Sequence, residues 1–285
     1  MWWTAAAGRL EQATALDPVT AAVTRAVLAV LPGGPVKDVL HGRWLGHPVH
    51  PLLVTAPIGL WAGAVLLDLT PGDTRRAAQR LVGAGALSVL PTAATGLADW
   101  SALGEFERPK RVGLVHAAAN VVTTAVYVAS WLARRRGDEA LGRGLALVGL
   151  GGLAVGGVLG GHLSYTEGVG VDRNADEPPE PQDWTDAAAD AEVAEGALVR
   201  VDVDGQQVVL ARRSGRLSAM GAVCSHYGAP LEQGEVDDEE CLVCPWHGSR
   251  FRLADGTCAR GPAVSPQQSY EVRRSGDRLE LRVRA

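Results

Sequence analysis

The stretch CSHYGAPLEQGEVDDEECLVCPWHGSRF, residues 224–251, places two pairs of metal-ligating side chains in two short segments. The first segment offers Cys224-x-His226, and the second offers Cys244-x-x-His247. Thiolate sulfur and imidazole nitrogen are ligands for zinc and for iron. Each histidine lies beside its own cysteine, whereas zinc fingers place the two histidines together after the two cysteines. The spacing therefore favours two metal ions in unlike environments.

The sequences around the two pairs, GAPL at 228–231 and PWHGSRF at 245–251, resemble the two cluster-binding loops of Rieske [2Fe–2S] proteins. The resemblance covers roughly residues 197–285. It implies a small β domain in which two cysteines bind the inner iron and two histidines bind the outer iron, near the surface where electrons leave. The implied ligands of the cluster are Cys224, Cys244, His226 and His247.

A zinc site is the alternative for this region. Cys241 and Cys244 form a Cys-x-x-Cys pair, which with two histidines would make a Cys₂His₂ site. Under the Rieske reading Cys241 lies on the strand that enters the second loop, and Cys258 follows the loops without a partner motif. We therefore expect both to be buried thiols that bind no metal.

The subtype follows from four positions near the ligands. Rieske proteins of the respiratory quinol-oxidising complexes carry a disulfide over the cluster, and the matching positions here hold Ala229 and Trp246. Ser249 stands where those proteins use a hydroxyl bonded to a cluster sulfide, but Phe251 replaces a tyrosine that supplies another. Fewer hydrogen bonds to the sulfurs stabilise the reduced cluster less. The domain resembles ferredoxin-type Rieske modules, which implies a reduction potential toward the low end of the Rieske range.

Four apolar stretches separated by arginine-bearing loops precede this region. Each is about as long as the run of residues that crosses the hydrocarbon core of a bilayer as a helix. A soluble helical bundle is the alternative, but soluble helices of this length carry a charged face, and these carry almost no charge. We therefore predict four transmembrane helices at 52–69, 81–97, 112–132 and 144–163.

The sequence as a whole predicts a multi-domain protein, in which a four-helix transmembrane bundle precedes a small all-β domain of antiparallel sheets. Apolar and polar residues alternate after the spans, as in LVRVDV at 198–203, and glycines mark hairpin turns. The expected divisions are an N-terminal amphipathic helical segment at 1–46, the four-span domain at 47–166, an acidic proline-containing linker at 167–196 and the Rieske domain at 197–285.

Two motifs in the membrane half resemble a family of uncharacterised bacterial four-span proteins. They are HPVHP at 47–51, before the first span, and PIGLW at 57–61, within it. The resemblance covers about residues 35–165. Because the activity of that family is not established, the resemblance implies an architecture and no reaction.

Charge indicates the partners and the orientation. The net charge is −5 and the acidic residues are concentrated before the β domain, so no basic patch suggests a nucleic-acid partner. We expect membrane lipid and either a redox partner protein or a quinone. The loops after spans one and three are the richer in arginine, which places them in the cytoplasm and the Rieske domain on the extracytoplasmic side of the cell membrane. These arginines are Arg75, Arg76, Arg80, Arg134, Arg135, Arg136 and Arg143.

The expected function is transfer of single electrons between a membrane or soluble donor and an acceptor. The protein would then be an electron-transfer component and not a stand-alone catalyst. The alternatives are a redox sensor and the ferredoxin component of a multi-subunit oxygenase. A Rieske oxygenase itself needs a further large domain with a 2-His-1-carboxylate iron site, and we expect none because few residues follow the second loop.

Four histidines in the membrane half form a second candidate site. Because alternate spans run in opposite directions, the starts of spans one and three and the end of span four lie at one face of the bilayer. Ionisable groups at membrane depth usually mark a function, and imidazole binds haem iron or a quinone oxygen. The alternative is that these residues only cap or anchor helix ends. The candidate residues are His47, His50, His116 and His162.

Overall fold

A computed structural model describes residues 2–176, 178 and 180–284 of the protein. The chain divides into two compact units, and each unit is discontinuous in sequence. The first unit contains Met1–Pro32 and Val49–Val169, and the second contains Gly33–Pro48 and Gly170–Ala285. One boundary, between Pro48 and Val49, therefore falls inside the HPVHP motif.

The first unit is helical. Its helices are α1 (Trp2–Glu11), α2 (Asp17–Val30), α4 (His50–Leu53), α5 (Thr55–Leu69), α6 (Arg75–Ser101), α7 (Glu107–Arg135) and α8 (Glu139–Tyr165), whereas α3 (Pro35–His41) belongs to the second unit. Four segments are long and apolar enough to cross a membrane, which confirms the four predicted spans. They are His50–Leu69, Arg75–Ser101, Glu107–Arg135 and Glu139–Tyr165.

The bundle has an apolar exterior and a tightly packed interior. Large aliphatic side chains such as Leu66, Leu87 and Val121 are about two-thirds exposed, as suits a surface that faces lipid. Inside, the ring of Trp61 stacks on that of Tyr127, with the centroids 4.1 Å apart. Both rings are buried, so aromatic stacking and close helix approach hold the interior together.

A buried ion pair ties the end of span one to the end of span three. The Arg134 guanidinium makes a bidentate contact with the Asp68 carboxylate, and its Nη1 lies 2.9 Å from Asp68 Oδ1. The Arg134 side chain is fully buried and that of Asp68 nearly so. Bidentate pairing satisfies both charges where water is excluded. Arg134, one of the arginines that follow span three, is thus paired with Asp68 inside the bundle.

The second unit is an antiparallel β domain, as the sequence predicts. Its strands are β1 (Thr185–Ala189), β2 (Leu198–Val203), β3 (Gln206–Arg213), β4 (Arg216–Gly221), β5 (Glu235–Val236), β6 (Cys241–Val243), β7 (Arg250–Arg252), β8 (Cys258–Arg260), β9 (Ser269–Ser275) and β10 (Arg278–Val283). One sheet has the order β1-β10-β9-β4-β3-β2, and the other has the order β5-β6-β7-β8.

Strand β3 separates two hydrophobic cores. Val209 faces the core that also contains Cys224 and Cys244, whereas Val208 and Leu210 face the opposite core. Successive side chains of a strand point to opposite faces of the sheet, so a strand buried on both faces reads as a continuous apolar run. The loops that carry Cys224 and Cys244 therefore lie over a packed core.

The structure differs from the expected linker at 167–196. Within that range Thr185–Ala189 forms β1, which pairs with β10. Ala188 is buried in the same core as Leu279, and the nearby carboxylate of Asp186 pairs with Arg278. Part of the acidic stretch thus completes a sheet through its pairing with β10 and the burial of Ala188.

Candidate metal centre

The two ligand-bearing loops have the same hydrogen-bond pattern. In the first, the amide of Cys224 donates to the carbonyl of Ala229 at 2.9 Å, and the amide of Gly228 donates to the carbonyl of Cys224 at 2.8 Å. In the second, the amide of Cys244 donates to the carbonyl of Ser249 at 2.8 Å, and the amide of Gly248 donates back to Cys244 at 3.1 Å.

Each loop closes through a glycine in the left-handed region. Gly228 has a φ of 76° and Gly248 has a φ of 71°. A residue with a Cβ would be strained there. The glycine four residues after each cysteine is therefore what lets both loops adopt the same turn and present thiol and imidazole on one side.

The four predicted ligand side chains converge from the two loops. The thiols of Cys224 and Cys244 form a hydrogen bond with each other. The Nδ1 atoms of His226 and His247 lie 3.2 Å apart, and the two rings are nearly perpendicular. Two sulfur and two nitrogen donors thus meet at one edge of the β domain.

The protonation states of the two thiols are linked. The hydrogen bond between them lowers the pKa of Cys244, whereas the same bond and burial raise the pKa of Cys224. Removal from water lowers the pKa of His226 to about 3, with help from the charges of neighbouring basic groups. Metals bind the thiolate and the neutral imidazole, so these shifts favour the binding form at Cys244 and His226, and Cys224 would release its proton on binding.

The other two cysteines lie outside this convergence. Cys241 Sγ is 3.7 Å from the carbonyl of Glu239, and Cys258 Sγ donates to the carbonyl of Ala263 at 3.0 Å. Burial raises the pKa of Cys241, and it raises that of Cys258 to about 12. Both thiols are therefore protonated donors to backbone oxygen at neutral pH.

Two residues of the expected linker belong to the site, and the sequence reasoning missed them. The amide of Arg173 donates to the carbonyl of Ser225 at 3.0 Å, and its guanidinium lies over the ring of Tyr227. The side chain of Asn174 donates to the carbonyl of Val223 at 2.8 Å. No local pattern marks these residues, because their partners are about fifty positions away in sequence.

The four membrane histidines bond to four different partners. His47 Nδ1 lies 3.1 Å from the carbonyl of Pro48 in the second unit. In the first unit, His50 Nδ1 lies 2.9 Å from the carbonyl of Thr92. His116 Nδ1 lies 3.1 Å from the carbonyl of Gly156, and His162 Nε2 lies 2.9 Å from Glu11 Oε1. His50 and His116 are close enough to interact electrostatically, whereas His162 joins an ion-pair network with Glu11 and Arg108.

Comparison with known proteins identifies both halves. Residues 183–271 match the family described as "Rieske [2Fe-2S] domain", and residues 46–173 match "Predicted membrane protein (DUF2231)". The ferredoxin component of the naphthalene 1,2-dioxygenase system from Pseudomonas aeruginosa is 30% identical over 98 residues, which are 34% of this chain and 93% of that protein.

Two further matches cover the same domain. Apoptosis-inducing factor 3 of Homo sapiens is 29% identical over 107 residues, 37% of this chain, but the chain spans only 18% of that protein. Among solved structures, the ferredoxin of carbazole 1,9a-dioxygenase from Nocardioides aromaticivorans IC177 is 27% identical with a TM-score of 0.34, over 35% of this chain and 98% of that one.

The loops and their donor set define a two-loop iron–sulfur domain of the Cys₂His₂ kind. The chain belongs to the Rieske [2Fe–2S] family through its β domain, and that domain is joined to a four-span membrane domain. The predicted fusion and the [2Fe–2S] cofactor are confirmed, and the protein is a multi-pass membrane protein. Two thiols and two imidazole nitrogens in contact are a donor set that fits the cluster.

Proposed function

We propose that this protein is a membrane-anchored carrier of single electrons. In this proposal Cys224 and Cys244 bind the inner iron, and His226 and His247 bind the outer iron. The convergence of these four side chains from two loops of identical hydrogen-bond pattern is the observation that carries the proposal. When bound, the cluster supplies a one-electron couple.

The residues around the ligands hold the loops and shape the surface where a partner docks. Both imidazoles are partly exposed, and Trp246 beside them is 48% exposed. Tyr227 packs edge-on against His226, with the centroids 4.9 Å apart. Aromatic side chains contribute strongly to contacts between proteins. We therefore place the electron exit at the imidazole edge, with Trp246 at its rim.

A reductive titration of the purified full-length protein tests the carrier proposal. We expect stoichiometric iron, and bleaching of the visible absorption after one electron per protein molecule. A protein that contains zinc, or that takes up no electron, would contradict the proposal. The same spectra detect any haem in the membrane half.

The reduction potential is expected near the low end of the Rieske range, which runs from about −150 to about +300 mV. Ala229 is buried and Trp246 is exposed at the positions where a disulfide would need two thiols. Phe251 is fully buried and offers no hydroxyl. A potential as high as that of the quinol-oxidising type would contradict this expectation.

A ferredoxin role toward an oxygenase is the second candidate for the electron acceptor. The similarity to the ferredoxin component from Pseudomonas aeruginosa supports this role, because the matched region covers 93% of that protein. A redox sensor is the remaining alternative, and it predicts that no partner reduces or oxidises the cluster rapidly. Stopped-flow reoxidation by candidate oxygenases and cytochromes separates these roles.

We also propose a second redox or quinone site in the bundle, now narrowed to His50 and His116. Each Nδ1 faces a backbone carbonyl, which only accepts, so each Nδ1 carries the hydrogen. Each Nε2 then keeps its lone pair, which in His50 accepts from a quinol hydroxyl or binds haem iron. In His116 the side-chain amide of Asn120 lies 3.2 Å from Nε2 and also donates to the carbonyl of His116 at 2.9 Å, so a ligand at this Nε2 would displace the contact with Asn120. His47 and His162, the other two candidates, have partners elsewhere.

Membranes that contain a His50→Ala, His116→Ala double variant test this second site. We expect decylubiquinone to reoxidise the dithionite-reduced cluster more slowly than in the wild type, while ferricyanide reoxidises both equally. A His47→Ala variant is the control. An unchanged rate with decylubiquinone in the double variant would rule out the site.

We further propose that the Rieske domain lies on the extracytoplasmic side. The arginine-rich loops after spans one and three support this side through the positive-inside rule.

A further inference from the structure

The segment of residues 33–48, here called the α3 segment, belongs to the same compact unit as the β domain. It precedes the first span in sequence, far from the cluster-binding loops. Two of its polar side chains are nevertheless buried, since Asp38 is 7% exposed and His41 is 3% exposed. Buried charged side chains need specific partners, so the contacts of Asp38 define what the segment does.

Asp38 and Arg43 together hold the turn that follows β8. The amide of Gly261 donates to Asp38 Oδ1 at 3.0 Å. Arg43 pairs with Asp38 at 3.7 Å, and its Nη1 donates to the carbonyl of Cys258 at 3.3 Å. The α3 segment thus contacts strand β8 at one backbone group and the turn that follows it at another.

The same turn contacts the second ligand loop. The amide of Ala263 donates to Ser249 Oγ at 2.9 Å, and Ser249 is fully buried. The carbonyl of Ser249 in turn accepts from the amide of Cys244 at 2.8 Å, which closes the loop that presents Cys244 and His247. Two hydrogen bonds, one at each end of the short backbone turn Gly261–Ala263, therefore connect Asp38 to Ser249 of the ligand loop.

His41 adds a second contact at the same turn. A Cβ on Gly261 would lie only 3.6 Å from His41 Cδ2, so the ring lies against that glycine. The α3 segment therefore contacts the turn through both of its buried polar side chains.

We propose that Asp38 is a positioning residue of the metal centre, which holds the Gly261–Ala263 turn and through it the loop of Cys244 and His247. The proposal rests on the ligand set proposed above. A carboxylate that accepts from a buried amide makes a charge-assisted hydrogen bond, which is stronger than a neutral one. The sequence that leads into the first span is then a structural part of the cluster site.

The test compares Asp38→Ala with Asp38→Asn in the full-length, cluster-loaded protein. Hydrogen exchange of the amides of Gly261 and Ala263 and the rate of cluster loss to a chelator are the two readouts. In Asp38→Ala we expect exchange about tenfold faster, or more, because a bond to a charged group is lost, and faster cluster loss. Asp38→Asn keeps an acceptor oxygen and should restore both toward the wild-type values.

Two controls make the outcome decisive. Asp186→Asn removes another carboxylate that pairs with an arginine of the β domain, Arg278, and should leave both readouts unchanged. If Asp38→Ala does not fold, Asp38→Glu keeps the charge but displaces the acceptor, and wild-type exchange in that variant would overturn the proposal. So would wild-type exchange in a folded Asp38→Ala protein. A wild-type protein that holds no cluster would instead refute the ligand set.

Discussion

Two kinds of cysteine occur in the β domain, and they differ in what their sulfur atoms contact. Cys224 and Cys244 bond to each other, whereas Cys241 and Cys258 lie against backbone carbonyls. We predict that Cys244→Ser abolishes the cluster and that Cys241→Ser and Cys258→Ser keep it, because only the first change removes a ligand. Iron content and the EPR signal of the reduced protein measure this.

The matched pair Cys244→Ser and Cys241→Ser is informative because both residues are nearly fully buried and lie three positions apart. A general folding defect would affect both. Retention of the cluster in the Cys244 variant, or loss of the Rieske signal in the Cys241 variant, would contradict the ligand assignment.

Single residues were predictable from sequence where their signal is local. The ligand set is local, since each thiol lies two or three residues from its imidazole and each loop closes on its own glycine. Asp38 and Arg173 gave no such signal, because their partners Gly261 and Ser225 are brought close only by tertiary folding. From the sequence alone, an aspartate on a short helix, such as Asp38, is expected to be an exposed surface residue.

The glycines of span four differ in how much space surrounds them. A Cβ on Gly149 would lie 2.6 Å from the ring of Tyr127, whereas a Cβ on Gly151 would meet nothing within 4 Å. We predict that Gly149→Ala is less stable than Gly151→Ala by about 1–3 kcal/mol, the usual cost of overpacking. Both changes add the same helix propensity, so thermal unfolding in detergent isolates the steric difference. Equal stability would mean that α7 and α8 pack differently.

Helix α1 is attached to the bundle through a titratable contact. Burial favours the neutral form of Glu11, but hydrogen bonds from His162 and Arg108 outweigh it and hold the pKa of Glu11 below its ordinary 4.5. A lowered carboxyl pKa contributes stability that is present above the unfolded pKa and is lost as the pH falls through the folded one. We predict that the amides of α1 are protected from exchange at pH 6 and lose protection progressively as the pH falls below 4.5, the ordinary pKa of the carboxyl group.

The controls for α1 lie on the same helix. Glu11→Ala should remove the protection at pH 6, and Arg9→Gln, a change at an exposed position, should preserve it. Protection of α1 that does not depend on pH in the wild type would show that apolar packing alone attaches the helix.

Helices and strands were predictable from sequence where the apolar composition or the periodicity of apolar residues is unambiguous. The four spans follow from the length of their apolar runs, and the later strands follow from alternation. Strand β1 was missed because Thr185–Ala189 is short and lies among acidic residues, and its pairing depends on β10 at the end of the chain. Helix α3 was expected with the N-terminal segment, since nothing local indicates that it packs with the β domain.

For the whole molecule, the side of the membrane is the most direct prediction. We predict that a membrane-impermeant maleimide labels Ser275→Cys, in the exposed hairpin of the β domain, in right-side-out vesicles. Asp73→Cys, in the exposed loop after span one, should be labelled only after the vesicles are opened. The reverse pattern would place the Rieske domain in the cytoplasm.

We propose that two cysteines and two histidines hold one [2Fe–2S] cluster in a membrane-anchored protein. Pulsed EPR of the reduced full-length protein, prepared with natural and with ¹⁵N-labelled histidine, tests this ligand set. We predict a Rieske-type signal with coupling to two histidine nitrogens, which changes on labelling. A cluster signal without histidine coupling, or a protein with zinc and no signal, would contradict it.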